Sequence, residues 1–271
     1  MPLNNYQITF NGLTIGSGSS VYLITNIDGL GGTSPLRIQD DNRGYIDGSY
    51  SGRDFYDERQ VFIDVTVLGD NTNTAQYYYK QLQKAFAPQQ LGFYVDPTGN
   101  TPASNQLQLF QYQLTADTGT MRMYGRSRGL VTPVDPDFSY GYIKTRIQMS
   151  FPDPRYYDDA GTTKTGASFT LTNTGWALSC PVITIASTSG ASGSITDGST
   201  TMTFANMSAG QQLIVDLLSR VIYYNGYPAR NYLTSNYSGW LSIAPNTLPA
   251  SPVTWTSTVG SMSVTYRNAY V

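Results

Sequence analysis

From Tyr142 to Phe151 the chain alternates without a break. Ile143, Thr145, Ile147, Met149 and Phe151 are interleaved with Tyr142, Lys144, Arg146 and Gln148. That is the period of a β-strand with one buried face. The next residues are FPDPRYYDD, Phe151 to Asp159. Pro152 and Pro154 lack the N–H that a ladder needs and force the residues before them into extended geometry, so the chain must leave its sheet here. Asp153 can close the turn through its own backbone. Arg155 brings a planar five-donor fork, and Tyr156 and Tyr157 bring rings with polar tips, groups suited to clamping two surfaces. The sequence reads as β-rich on both sides of this break, which predicts a first domain over 1–155 and a second over 160–271.

A chain of 271 residues is long enough for about two domains. Charged residues make up only 13%, with 22 Tyr and 26 Gly. Isolated soluble proteins lean on charge for solubility, so this composition suits a subunit covered by neighbours or an extracellular binding domain. The net charge of −2 argues against sequence-specific nucleic-acid binding, and no basic stripe is expected. There is no histidine and one cysteine, Cys180. Histidine-based triads, the common zinc sites and any intrachain disulfide are therefore excluded. No membrane span is expected, because no run approaches about 20 apolar residues. The start, MPLNNYQITF, has no signal-peptide character, so synthesis in a reducing cytosol is expected.

In chain order, QITFNGLTI over Gln7 to Ile15 predicts a hairpin turning at Asn11-Gly12, and Val21 to Ile27 predicts another strand. Asp28 to Tyr56 lacks firm periodicity and mixes charges of both signs, which fits a long arm contacting a neighbouring subunit as well as it fits solvation. Val61, Ile63, Val65 and Val67 give a clear strand over RQVFIDVTVLG. A helix follows over AQYYYKQLQKAF, capped by Asn73 or Thr74, with Tyr78, Leu82 and Phe86 on one stripe. Strands are predicted at Leu91 to Val95, Leu107 to Leu114 and Met121 to Tyr124, with a long loop at RSRGLVTPVDPDFSYG.

Past Asp159, a linker AGTTKTGAS leads into eight short predicted strands at roughly ten-residue spacing, the pattern of a sandwich or jelly roll. They are centred on Phe169, Ile183, Met202, Leu213, Ile222, Trp240, Trp255 and Val264. Gly190 to Gly198 is expected to be a mobile loop. Cys180, beside Pro181, is expected to be buried and inert.

No catalytic constellation emerges. Asp40/Asp41, Asp57/Glu58 and Asp158/Asp159 are adjacent carboxylates, which point to opposite faces of a strand and cannot form a glycosidase dyad. No phosphate loop, dinucleotide fingerprint or calcium loop occurs. No enzyme activity, cofactor or metal is expected. Trp240, Tyr224, Tyr227 and Tyr237 could stack on sugar rings if gathered on one face, which makes a carbohydrate-binding protein attached to host-wall glycan the alternative reading.

The N-terminal F-N-G hairpin, the Arg59-led strand ending at Gly69, the helix AQYYYKQLQKAF and the closing DPRYYDD, taken in order, resemble the distal tail proteins of long-tailed bacteriophages. NTGWALSCPVITI, GQQLIVDLLSRVIYYNG and SGWLSIAPNT extend the resemblance over nearly the whole chain. It implies a mainly β fold: a tail-tube-like N-terminal sandwich or barrel with one helix, and a galectin-like C-terminal sandwich. It further implies a structural virion protein at the distal end of the tail, a hexameric ring joining the tail tube protein to tail-tip hub and fibre proteins. The residues expected at the subunit interface and hinge are Arg53, Arg59, Asp153, Arg155, Tyr156 and Tyr157. Arg53, Arg59 and Arg155 would be the charged anchors.

Overall fold

The computed structural model describes residues 3–32, 34–42, 47, 49–50, 52, 54–88, 107–133, 136–186, 192–205, 207–234, 239–245, 253–258 and 261–271. By its internal contacts the chain divides into two units, with the division between Tyr156 and Tyr157 and with Val271 counted in the first.

In the first unit, β1 (Gln7–Phe10) and β2 (Leu13–Gly16) form the opening hairpin. Asn11 and Gly12 take positive φ at its turn, the geometry a two-residue hairpin loop requires. β3 (Tyr22–Asp28) precedes the arm, whose short strands are β4 (Leu36–Arg37), β5 (Asp41–Asn42), β6 (Ser49–Tyr50) and β7 (Phe55–Tyr56). β4 pairs with β7 and β5 with β6, so the described part of the segment expected to be irregular contains two short antiparallel strand pairs. β8 (Arg59–Leu68) follows, then helix α1 (Thr72–Ala85), β9 (Gln108–Gln113), β10 (Met121–Val131) and β11 (Tyr142–Phe151). The sheet runs in the order β2-β1-β9-β10-β11-β8-β3. β8 and β11 are antiparallel over ten residue pairs, from Arg59↔Phe151 to Leu68↔Tyr142.

The alternation read in the sequence buries Val61, Ile63, Val65, Val67, Ile143, Ile147, Met149 and Phe151 on the helix side of the sheet. Phe10 stacks on Phe86 at 5.1 Å between ring centroids, and Phe110 meets Phe151 edge-on at 5.1 Å. Fully burying such a ring is worth about 1.5–3 kcal/mol relative to leaving it in water. The helix cap is Asn71, earlier than Asn73 or Thr74, because Asn71 Oδ1 accepts the Thr74 amide at 3.0 Å. At the other end the Asn11 amide group donates to the Ala85 carbonyl and the Ser127 hydroxyl to that of Phe86, each at 2.7 Å. Both carbonyls would otherwise be orphans of the last turn. Leu82 and Phe86 of the expected stripe are buried and Tyr78 is half-buried. The strand expected at Leu91 to Val95 lies outside the described residues.

The second unit is a β-sandwich. β12 (Tyr156–Asp158) begins where the two units divide. The others are β13 (Thr162–Gly166), β14 (Ser168–Leu171), β15 (Val182–Ala186) and β16 (Gly193–Thr196), then β17 (Thr201–Phe204), β18 (Gln212–Asp216), β19 (Val221–Tyr224) and β20 (Tyr227–Pro228). β21 (Val253–Ser257) and β22 (Met262–Tyr266) complete the sandwich, and β23 (Ala269–Tyr270) pairs with β12. One sheet runs β13-β22-β15-β18-β19-β20 and the other β14-β21-β16-β17. Between them lie Ile183, Ile185, Ile195, Met202, Phe204, Leu213, Val215, Ile222, Trp255 and Val264, all buried.

Four expectations are corrected here. The supposed linker contains β13, an edge strand whose Thr163 hydroxyl meets that of Thr265 on β22 at 3.0 Å. The supposed glycine loop contains β16, paired with β17. Among the described residues around Trp240, 239–245, there is no strand, only a bridge between Ser179 and Ile243. Cys180 is half-buried at the edge of the core rather than enclosed.

Candidate functional site

Arg59 keeps the phase of Val61, Ile63, Val65 and Val67 along β8, so its side chain points inward and only 2% of it is exposed. Its Nε donates to the Pro154 carbonyl at 3.0 Å. Its Nη1 donates to the carbonyls of Gly29 (3.0 Å), Gly32 (3.1 Å) and Leu30 (3.4 Å). One guanidinium thus ties the start of β8 to the turn entering the arm and to the chain leaving β11. Gly29 makes that turn possible. Its φ is +81°, and a Cβ there would lie 2.1 Å from the Gln60 carbonyl oxygen. Ser34 donates its hydroxyl to the same Pro154 carbonyl at 3.4 Å.

Among the described residues no carboxylate pairs with Arg59. Its charge is held by carbonyl dipoles and by the ring of Tyr156, whose centroid is 5.7 Å away, while Nη2 is buried without a hydrogen-bond partner. Burial pulls its pKa below the ordinary value, and Tyr112 and Tyr156 oppose that shift. Tyr156 meets Tyr112 edge-on at 6.4 Å. Burial pushes the Tyr112 phenol well above its usual range; Tyr156 adds to the effect and Arg59 partly offsets it.

The residues expected at an interface are therefore used in different ways. Arg59, expected to reach out to a neighbour's carboxylate, is instead turned inward onto the carbonyls of Pro154, Gly29, Leu30 and Gly32. Asp153 and Arg155 pair with each other, Nε to Oδ1 at 2.7 Å, with the Arg155 amide also donating to that oxygen. Tyr156 packs under Arg59, and Tyr157 is buried. Arg53 lies outside the described residues. Sequence reasoning missed the Gly29–Gly32 carbonyls and Tyr112. The signal that Arg59 turns inward was present, since it shares the parity of four buried β8 residues.

The described aromatic residues weighed for sugar stacking have different surroundings. Tyr224 stacks face-to-face on Tyr232 at 4.1 Å, and its hydroxyl accepts the Ser208 amide. Trp240 packs against the core, Tyr227 is exposed opposite Tyr224 in the β19–β20 ladder, and Tyr237 lies outside the described residues. A groove of about 350 Å³ lies beside the start of α1, lined by Ser20, Val21, Leu68, Gly69, Asp70, Tyr78 and Tyr142. It holds one carboxylate and two phenols, with no second acid or base beside them. Among the described residues no group of three or more Cys, Asp or Glu could hold a metal, and no helix is long and apolar enough to cross a membrane.

The described geometry gives an exposed arm with two short strand pairs, and an arginine that ties the root of that arm to the chain leaving β11, on a mainly β scaffold. No family model matches the chain, and no curated protein matches it by sequence. Solved structures do. The SPP1 Dit (gp 19.1) protein, described as a paradigm of the hub adsorption apparatus in phages infecting Gram-positive bacteria, matches over 98% of this chain and 99% of its own. The TM-score is 0.71 at 16% identity. A chain of the phage P2 baseplate in its activated conformation with Ca matches over 99% and 98%, with a TM-score of 0.56 at 7% identity. The corresponding baseplate structure with Sr gives 0.55 at 7%. The shared property is the fold: this chain is built like the distal tail and baseplate proteins of phages.

Proposed function

We propose that this protein is a structural component of a phage virion: a distal tail hub that forms a hexameric ring between the tail tube protein and the tail-tip hub and fibre proteins. The observation that carries the reading is the match to the SPP1 Dit fold over essentially the full length of both chains, across both β units. The exposed arm supports it. So does a surface with little charge to keep a lone subunit soluble. In this reading the first unit, residues 1–155, supplies the ring contacts and 160–271 is the outward sandwich. The protein is made in the host cytoplasm, works at the distal end of the tail, and acts by joining partners rather than by catalysis. Light scattering and negative-stain imaging of the purified full-length chain test this. Rings with six times the mass of one chain are expected, whereas a monomer at every concentration would overturn the reading.

A further inference from the structure

The chain has three tryptophans. Trp255 is fully buried in the sandwich core and Trp240 packs against it, but Trp176 is 62% exposed. Tryptophan is highly buried on average, so a largely exposed one calls for a reason. The backbone beneath it is held firmly. Ala177 bridges Ala269, its amide donating to the Ala269 carbonyl at 3.0 Å. The buried Asn173 accepts the Gly175 and Ala269 amides and donates to the Ala177 carbonyl. A Cβ on Gly175 would lie 1.9 Å from the Ala269 carbonyl oxygen, so the two segments approach this closely only with glycine there. Burial alternates along the segment: Gly175, Ala177 and Ser179 are buried, Trp176 and Leu178 exposed. The indole therefore stands on a rigid pedestal with its side chain in solvent.

The bridge also sets what surrounds that indole. Antiparallel pairing of Ala177 with Ala269 puts Trp176 beside Tyr270 and Leu178 beside Asn268. Tyr270 meets Trp176 edge-on at 4.7 Å between ring centroids, which fixes the plane of the indole. Asn268 carries the polar side of the patch. Its Oδ1 accepts the Thr174 amide at 2.9 Å, and its Nδ2 donates to Asp158 Oδ2 at 2.7 Å. These bonds orient an amide and a carboxylate without exhausting them. The second amide hydrogen of Asn268, Asp158 Oδ1 and the Thr174 hydroxyl have no partner among the described residues. Diagonal neighbours on one face of an antiparallel pair lie about 7–8 Å apart, so Asn268 is within the reach of one sugar ring from the indole.

We propose that Trp176 is the platform of a binding site for a neutral pyranose unit of a glycan. A pyranose has a face of C–H groups that can lie on the indole and a rim of hydroxyls that both donate and accept. Asp158 Oδ1 accepts from that rim, the Asn268 amide donates to it, and Thr174 does either. Two properties select this ligand. Residues 165–196, which carry Trp176, contain no Lys, Arg, Asp or Glu, and the charged group hydrogen-bonded into the patch is a carboxylate, so an anion gains nothing there. The area is also too small for a protein partner. Trp176, Leu178 and the half-buried Tyr270 together expose roughly 300 Å², taking full aromatic side chains as 150–250 Å². A stable protein interface needs about 800 Å² from each side. The site lies within the second unit and does not rest on the ring reading, although a ring would add avidity to a weak single site.

The test titrates the full-length protein with maltose, cellobiose, lactose and diacetylchitobiose, following heat and tryptophan emission. Saturable millimolar binding of at least one sugar is expected, with a shift in emission from the exposed indole. Trp176→Ala should weaken that binding by roughly tenfold or more and remove the shift, while Asp158→Asn should weaken it several-fold and keep the shift. Circular dichroism checks folding. Should Trp176→Ala fail to fold, the wild type supplies its own readout: N-bromosuccinimide should oxidise Trp176 before Trp240 and Trp255, and the bound sugar should protect it, as located by peptide mass. The proposal falls if none of the four sugars binds, if binding survives Trp176→Ala, or if a bound sugar leaves Trp176 unprotected. Choline bound in place of the sugars would make the patch a cation site, and assembly lost in a folded Trp176→Ala without sugar binding in the wild type would make it a protein contact; either overturns it. The ring reading is judged separately, by the mass of the wild-type particle.

Discussion

Replacing Arg59 by methionine keeps most of the side-chain volume and removes the fork that joins Pro154 to the Gly29–Gly32 turn. Three of its hydrogen bonds are 3.0–3.1 Å long. Bonds to a charged donor contribute about 1.5–3 kcal/mol each, but the change also removes a cation that is buried without a carboxylate, which returns a few kcal/mol. The stranded carbonyls of Gly29 and Gly32 lie on a turn that water can reach in part, which limits the loss further. The expected cost is about 2 kcal/mol. For a unit of this size that corresponds to a fall in Tm of about 4–8 °C. Lysine should do no better than methionine. It retains the desolvation cost of the charge, yet its single point donor can serve Pro154 or the turn, not both. Scanning calorimetry would rank the two variants, and hydrogen exchange should show faster opening at 26–34 and 150–156 but not along β8. A lysine variant as stable as wild type, or clearly more stable than methionine, would refute the reasoning by showing that charge and not fork geometry is what the site uses.

Tyr112 is held neutral by burial, so the folded chain retains a proton that the unfolded chain releases above pH about 10; stability should decline as pH rises from there, and Tyr112→Phe should flatten that decline in alkaline denaturant melts. Gly125→Ala would place a Cβ 2.4 Å from the buried Phe151 ring and 2.7 Å from the Ser150 carbonyl oxygen. Urea unfolding should show a loss of about 1–3 kcal/mol, and an unchanged midpoint would mean that Phe151 has room to move. In the second unit, buried Asn173 donates to the Ala177 carbonyl at 2.7 Å and accepts the Gly175 and Ala269 amides. Asn173→Ala should cost about 2–4 kcal/mol by leaving these groups unpaired, whereas Asn173→Asp, which keeps the acceptor, should retain part of that in the same measurement.

The parts of this fold that could be read in advance are those in which burial and chemistry coincide. β8 and β11 bury a residue at every second position, most of them β-branched or aromatic, and both were clear. β10 was cut short because its inward positions after Met123 are Gly125 and Ser127. Phe151 crowds the first, and the second donates to the end of α1, so the buried face carries no hydrophobe and leaves no periodic signal. Its outward arginines then read as a loop. The arm failed for a related reason: its described residues from Pro35 to Asp40 are all exposed, and a ribbon without a buried side has no period to detect. Pro152 and Pro154 suggested a break after residue 155, and by its internal contacts the chain divides between Tyr156 and Tyr157. Which way Arg59 faced followed from parity alone, against the expectation attached to its charge. The carbonyls it binds could not be foreseen, because backbone groups leave no mark on a sequence.

The placement of that clamp bears on how the protein carries mechanical load. Arg59 begins β8 and Phe151 ends β11, so the arm's root and the outgoing chain emerge side by side at one mouth of a ten-pair ladder. A pull separating them does not shear the ladder, with all its bonds resisting together. It peels the strands apart one pair at a time, the weak direction of any antiparallel sheet. The guanidinium spans that mouth and must give way before the first pair can open, so it acts as a clasp on a zipper. Force spectroscopy with handles at residues 57 and 153 would measure its strength as the drop in opening force when Arg59 is methionine.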